Sequence, residues 1–183
     1  EVVLYSYILW KDAFLKKLRG MFAFSIWDNQ KKILFCARDR VGKKPFIFSE
    51  TKRGFFFASE IPPLKLTAET VGINLEIDNN ALAAFMLHNL RHIPEPATIY
   101  KGIRKLRAGH AIIVKLGKIV RYWRYWSHEP KKVINSQELR SIIEEAIKLR
   151  SVADVPVGAL LSGGIDSTAI VNIMQKNCDQ QVK

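Results

Sequence analysis

Two cysteines in 183 residues, Cys36 and Cys178, are the first scarcity that constrains this chain. They are too few and too far apart for a disulfide framework or a CxxC metal site, so a reducing, cytoplasmic setting is the simplest expectation. Long apolar runs are missing too. None approaches the roughly 20 residues that a membrane span needs, and no signal peptide or anchor is expected. The four histidines, His88, His92, His110 and His128, lack metal-ligand spacing such as H-E-x-x-H. His88 and His92 stand four apart near a helix end, but two histidines make a poor site, and both read as polar surface positions. G-x-x-x-x-G-K is absent, which excludes a Walker A loop, and so is G-x-G-x-x-G, which excludes the Rossmann fingerprint. Acidic residues are outnumbered, 17 Asp and Glu against 29 Lys and Arg, for a net charge of +12. That excess invites an anionic partner such as nucleic acid. The basic residues are scattered over 16–17, 31–32, 38–44, 104–107, 115–124 and 131–132, mostly beside turns. Solvated charges normally sit there, so no nucleic-acid interface is expected.

With 48% hydrophobic residues, the chain can bury a substantial core in one or two domains. The stretch "GMFAFSIWDNQKKILFCARD" holds two aromatic and branched runs, 21–27 and 33–37, around Asp28, Asn29, Gln30 and Lys31, a hairpin pattern. A second pair, 45–49 and 54–59, is joined by the polar turn 50–53. Four short strands in forty residues predict an antiparallel sheet. A short helix follows around 61–66. Asp78 is placed to cap a helix from Asn79 to Leu87, because its carboxylate can accept the orphan amides of the first turn. "HIPEPATIY" ends that helix. Strand candidates 110–116 and 118–123 meet at Gly117, as in a tight hairpin.

After Trp126 the composition shifts, and the polar stretch 127–135, with His128, Pro130 and a lysine pair, reads as a linker. From Ser136 onward Leu139, Ile142, Ile143, Ala146, Ile147 and Arg150 recur at helical spacing, giving one apolar stripe. "VGALL", 157–161, reads as a fully buried strand, being short, apolar and bounded by turn signals. A helix beginning near Asp166 is expected to carry Ile170, Ile173 and Met174 inward. Helix, buried strand, glycine turn and helix together predict the opening of a parallel α/β domain. A glycine turn between strand and helix aims backbone N–H groups and the positive helix end at one spot, which suits an anion. Gly163 and Gly164 can take positive φ there, and the Ser162, Ser167 and Thr168 hydroxyls can donate to phosphate oxygens. An ordinary strand-to-helix turn with Ser or Asp as cap accounts for the same pattern.

The stretch "LLSGGIDS" resembles the SGGxDS pyrophosphate loop of the N-type ATP pyrophosphatases, and its setting "SVADVPVGALLSGGIDSTAIV" is similar to that of glutamine-hydrolysing asparagine synthetases. Upstream, "RGMFAFSIWD", "ARDRVGKKPFIF", "FFFASEI" and "IPEPATIYKGIRKLRAGH…RYW" resemble successive segments of the class II glutamine amidotransferase domain of that family, in the same order. The resemblance implies an Ntn-type glutaminase sheet sandwich followed by the start of an α/β parallel-sheet ATP pyrophosphatase domain. It divides the chain into 1–126, the C-terminal part of the glutaminase domain, a linker at 127–135, and 136–183, the beginning of the ATP-binding domain. It assigns Leu160, Leu161, Ser162, Gly163, Gly164, Ile165, Asp166 and Ser167 to ATP, and Asp166 to magnesium. The implied partners are aspartate, glutamine and ATP, without nucleic acid or membrane, and a homodimer is among the assemblies it allows. In the family, glutamine is hydrolysed by an N-terminal cysteine whose own amino group is the base, and the ammonia meets an aspartyl-adenylate.

Under this resemblance the nucleophilic cysteine, the arginine and asparagine-glycine motif that hold glutamine, and a glutamine-binding aspartate are expected before Glu1. Most of the synthetase site is expected after Lys183. No catalytic residue is therefore assigned within the chain, and as given it is expected to hydrolyse no glutamine. Cys36 lies inside a predicted strand and reads as a buried structural thiol, not as a nucleophile. Arg38 and Asp39 with Gly42 and Pro45 read as turn structure, in which Asp39 accepts backbone amides. Tyr122, Trp123, Tyr125 and Trp126 are placed by the resemblance at the junction of the two domains, where aromatics bury area well. Relatives on the same plan close β-lactam rings or amidate other carboxylates. A non-catalytic binding protein is the alternative from another class.

Overall fold

Turn chemistry builds the first half of the chain, as seen in a computed structural model that describes residues 1–87, 92–129, 134–177 and 182. Strands β1 (Ala23–Asp28) and β2 (Ile33–Arg38) form an antiparallel hairpin. Its turn is tied by Asp28, whose Oδ1 accepts the amides of Gln30 (3.1 Å) and Lys31 (3.0 Å). Strands β3 (Ile47–Thr51) and β4 (Gly54–Ala58) form the second hairpin. Helix α1 (Val2–Trp10) and a 3-10 turn (Lys11–Lys16) precede these strands. Helices α2 (Ile61–Thr70) and α3 (Asn79–Leu87) follow them. Asp78 caps α3 as its position predicts, accepting from Asn80 (3.0 Å) and Ala81 (3.2 Å).

A three-residue strand β5 (Ile103–Lys105) comes next, then β6 (His110–Lys115) and β7 (Lys118–Arg124). Between β6 and β7, Leu116 and Gly117 take φ of 50° and 74°. Positive φ at both central positions makes the two-residue turn whose twist matches that of paired strands. Gly117 has a second duty: a Cβ there would stand 3.2 Å from the Cα of Gly54, so two hairpin ends meet.

The four early strands do not make one sheet, which corrects the sequence expectation. One sheet has the order β1-β2-β6-β7 and the other β4-β3-β5. Distant partners decide this: β2 takes β6 (Phe35 opposite Ile113) and β3 takes β5 (Phe48 opposite Arg104). Alternate residues of β2 serve different cores. Phe35 and Ala37 join Tyr7, Phe14 and Leu15 beneath α1 and the 3-10 turn, whereas Cys36 joins Phe46, Phe48, Leu106 and Ile112 between the sheets. Ile47 and Ile103 face the other way and meet Leu64 of α2. Residues 1–128 are thus layered as helix, sheet, sheet and helix, and a fully buried Phe there contributes about 2–3 kcal/mol of transfer free energy.

Glu1–His128 and Glu129–Lys183 form separate units. The second contains α4 (Ser136–Arg150) and α5 (Ile165–Lys176), which pack on each other and bury Ile147 and Met174. Asn135 caps α4, its Oδ1 accepting the Glu138 amide at 2.8 Å. Most of the predicted stripe stays open, with Leu139, Ile142 and Ile143 exposed. The predicted strand at 157–161 is not formed: Leu160 is 97% exposed and no strand hydrogen bonding runs through it. The described residues of this unit offer no second strand, and an isolated strand has neither a ladder nor covered faces. Ile170 is likewise exposed, against expectation, while Ile173 is half-buried. Among the described residues no helix is long and apolar enough to cross a membrane.

Candidate phosphate loop and its surroundings

Residues 162–167 form an exposed turn into α5. Gly163 takes φ 80°, a conformation that L side chains disfavour, and nothing lies within 4 Å of a Cβ placed there. Gly164 behaves differently from expectation. It is the N-cap of α5 at φ −77° and ψ 158°, ordinary extended backbone. A Cβ on Gly164 would meet Ser162 Oγ at 3.5 Å and Ser167 Oγ at 3.9 Å, which is normal contact. The fold therefore asks for glycine at 163 and not at 164.

The two serines tie the turn. Ser162 Oγ and Ser167 Oγ lie 3.0 Å apart, and Ser167 Oγ donates to the Gly164 carbonyl at 3.0 Å. The Thr168 amide donates to the same carbonyl at 3.0 Å, the first helical bond. Among the described residues no side chain caps this terminus. Its first-turn amides and the positive end of the α5 dipole are therefore left to solvent or to an anion. Asp166 sits in that first turn, where a carboxylate also interacts favourably with the helix dipole. Leu160, Leu161 and Ile165 are exposed, at 97%, 61% and 89%. The structure thus brings Ser162, Gly164 and Ser167 together around one backbone turn, with Asp166 beside them.

An uncapped helix start behind a positive-φ glycine fits a polyphosphate, since the donors converge and no side chain obstructs them. Magnesium fits only as an ion shared with phosphate. Among the described residues no group of three or more His, Cys, Asp or Glu is placed to hold a metal. Mg²⁺ accepts one carboxylate plus waters and phosphate oxygens, which leaves Asp166 a compatible ligand.

The other residues singled out in the sequence have structural partners. Asp39 is 1% exposed, and its carboxylate accepts amides from Val41 (3.2 Å), Lys43 (2.9 Å), Lys44 (2.9 Å) and Phe22 (3.4 Å). Arg38 donates to the carbonyls of Lys44, Gly42 and Leu106 at 2.7, 2.6 and 2.7 Å, and pairs with Glu95. Tyr125 donates its hydroxyl to the Arg38 carbonyl at 2.8 Å. This knot joins the end of β2 to the segments before β6 and after β7. Glu95 was not foreseen in this role, because only a contact across 57 residues reveals it.

Cys36 is fully buried, and burial pushes its thiol pKa up to about 12, which suits an inert core position. Trp123 packs on Phe35, Tyr122 on His110 and Trp126 on His128, so every described ring contact of the aromatic cluster lies inside the first unit. His92 is exposed, in keeping with a surface position. His88 and Cys178 lie outside the described residues.

An antiparallel two-sheet unit followed by a helical unit with an anion-ready glycine turn defines a two-part chain. Comparison with known proteins matches each part. Residues 1–126 fit the model of the glutamine amidotransferase domain, and residues 138–183 that of asparagine synthase. The chain belongs to the glutamine-hydrolysing asparagine synthetase family. It is 35% identical to asparagine synthetase [glutamine-hydrolyzing] 3 of Bacillus subtilis (strain 168) over 189 residues, covering 100% of this chain and 30% of that protein. Asparagine synthetase [glutamine-hydrolyzing] 1 of the same organism is 33% identical over 181 residues, covering 96% of the chain and 28% of that protein. Amidase chyE of Penicillium rubens is 30% identical over 186 residues, covering 95% and 26%. The chain thus spans under a third of the length of each of these relatives.

Proposed function

We propose that these residues belong to an ATP-dependent synthetase that makes asparagine from aspartate with ammonia drawn from glutamine. In this reading 1–126 is the C-terminal part of an Ntn-type glutaminase domain, 127–135 a linker and 136–183 the beginning of the ATP pyrophosphatase domain. The helix, sheet, sheet and helix layering of residues 1–128 supports the first assignment. The observation that carries the second is the uncapped start of α5 behind Gly163, within residues matched to asparagine synthase.

The chemistry follows from charge. The substrate carboxylate attacks the α-phosphorus of ATP, pyrophosphate leaves, and ammonia then displaces AMP from the aspartyl-adenylate to give the amide. Amides of Ser162, Gly163, Gly164, Ile165 and Ser167 bind the β- and γ-phosphates, joined by the Ser162 and Ser167 hydroxyls when these exchange their bonds within the turn for phosphate oxygens, and stabilise the leaving pyrophosphate as its charge grows. Leu160 and Leu161 lead the chain into the loop. Magnesium, held in part by Asp166, neutralises phosphate charge when bound. No residue of this chain is assigned to glutamine hydrolysis. The same reading places the enzyme in the cytoplasm and allows a homodimer.

The test is product analysis in a full-length family member carrying these residues. Aspartate, ATP and ammonia should give asparagine, AMP and pyrophosphate in equal amounts. Formation of ADP and phosphate instead would overturn the reading. A second reading, another carboxylate as acceptor, is favoured by the similarity to a relative named an amidase. It would show as AMP formation with that acid and none with aspartate.

A further inference from the structure

A groove of about 370 Å³ on the Glu1–His128 unit is walled by Asp12, Lys16, Arg121, Trp123, Arg124 and Tyr125, well away in sequence from the glycine turn. A defect in strand pairing builds it. Ile113 pairs with Arg121 but Val114 pairs with Ile119, so Val120 is an extra residue in β7. The bulge reverses the alternation of the strand. Ile119 packs with the core between the sheets, whereas Trp123 packs with the core beneath α1. Arg121, two positions before Trp123, is thereby turned toward the 3-10 turn and meets Asp12. Bulges commonly re-aim a side chain in this way.

Arg121 is held on two sides. Its guanidinium lies 4.0 Å from the centre of the Trp123 ring, and one amino group donates to Asp12 Oδ2 at 3.0 Å. A planar guanidinium has five N–H donors, so this leaves several for a further acceptor. Among the described groove residues Asp12 is the one carboxylate, and it is engaged with Arg121. Among the described residues Lys16 and Arg124 have no acidic partner. Arg40 donates to the Lys16 carbonyl at 3.1 Å. Two unpaired cations and a fixed, partly satisfied guanidinium around one concavity suit a compact dianion. The fixed guanidinium also lowers the entropic cost of binding it.

We propose that this groove is a binding site for the phosphoryl group of a small phosphate monoester, separate from the ATP loop. Arginine can donate two parallel hydrogen bonds to a phosphoryl group, which carries both negative charges on one centre, and the groove has room for the group and part of what carries it. The site does not depend on the synthetase reading, because every contributing residue lies in the first unit.

The probe is inorganic phosphate, titrated into the 183-residue chain at constant ionic strength, with chloride as control and succinate as the competing dianion. Nuclear magnetic resonance follows the Trp123 indole and the arginine side-chain N–H signals. Saturable shifts at Trp123 and Arg121 are expected. The affinity should fall at least 10-fold in Arg121→Gln and in the Lys16→Gln/Arg124→Gln pair. Lys31→Gln/Lys52→Gln, which removes equal charge elsewhere, should leave it within about 2-fold, as should Ser167→Ala in the ATP loop. Unchanged amide spectra outside the groove verify that the variants are folded. Arg124→Gln alone, at an exposed position, supplies a variant with little structural risk and should still weaken binding. Linear shifts that chloride reproduces, equal losses in the control pair, or tighter binding of succinate than of phosphate would each overturn the proposal. Loss in Ser167→Ala alone would place the phosphate at the ATP loop instead.

Discussion

Phe35 and Leu160 are both large apolar residues, one 1% and the other 97% exposed, and they mark the difference between the two units. Around Phe35 two sheets and their flanking helices cover both faces of every central strand. Around Leu160 the described residues provide no neighbouring strand. Charge divides in the same way. Residues 1–128 carry 22 Lys and Arg against 10 Asp and Glu, and residues 129–183 carry 7 against 7, so the first unit alone holds the net +12. The comparison teaches that apolar pattern becomes buried structure only where partner strands exist to receive it.

The largest expected effect tests that contrast. Phe35→Ala should destabilise the first unit by about 3–5 kcal/mol, through lost burial and a residual cavity, as read by urea unfolding. Leu160→Ala should change stability by no more than about 0.5 kcal/mol. Amide hydrogen exchange sharpens the point: 35–37 should be protected and 157–161 fast. Slow exchange at 157–161 would mean that the segment is paired after all.

Next in size is the knot at the end of β2. Asp39→Ala leaves up to four amides without their acceptor in a partly buried setting, which costs about 3 kcal/mol. A loss below about 1 kcal/mol would show that water or a rearranged turn satisfies them. Gly117→Ala should cost about 1–2 kcal/mol, because it combines positive φ with close approach to Gly54. Gly164→Ala in the second unit should cost less, under about 1 kcal/mol, since neither condition holds there and only the N-cap preference for glycine over alanine is lost.

The smallest effect is one of pH. Burial, aided by the Asp28 carboxylate, pushes Tyr7 up to about 12, and burial pushes Tyr125 up to about 12, from an ordinary value of 10.0. The folded state holds these protons more tightly than the unfolded one. Their contribution to stability is therefore whole below pH 10 and is lost as pH rises toward 12. The first unit should weaken across that window, followed by unfolding midpoint and tyrosinate absorbance, and Tyr7→Phe should flatten the dependence. Residues 129–183 contain no tyrosine, so the helical signal of that unit should lack this component.

What the sequence made legible was local. Asp28 and Asp78 announced a turn and a cap because a carboxylate satisfies amides within three residues of itself. Asn79–Leu87 and Ser136–Arg150 matched helices read from capping and spacing. The split into two sheets was not legible, because β2 and β6 are joined across more than 70 residues and both hairpins look alike by themselves. β5 is three residues long and leaves no period to detect. Helix α1 is apolar on nearly every face, so it shows no stripe. The segment 157–161 failed in the opposite direction, since its composition asks for a covered strand. At the loop, sequence pointed to both glycines, and only the backbone separates the conformational need at Gly163 from its absence at Gly164.

That separation makes Gly164→Ala the most direct test of the central claim that residues 162–167 hold the phosphates of ATP. The variant belongs in a full-length family member carrying these residues, with pyrophosphate release measured on ammonia, glutamate release measured on glutamine, and a melting curve beside them. A methyl group at 164 should lower the melting temperature only slightly, by the N-cap preference for glycine, and leave glutamine hydrolysis largely intact. Pyrophosphate release should fall about 10²-fold, the typical loss when a preorganised donor is blocked. Unchanged pyrophosphate release, or parallel decline of both activities with the melting temperature, would contradict the account.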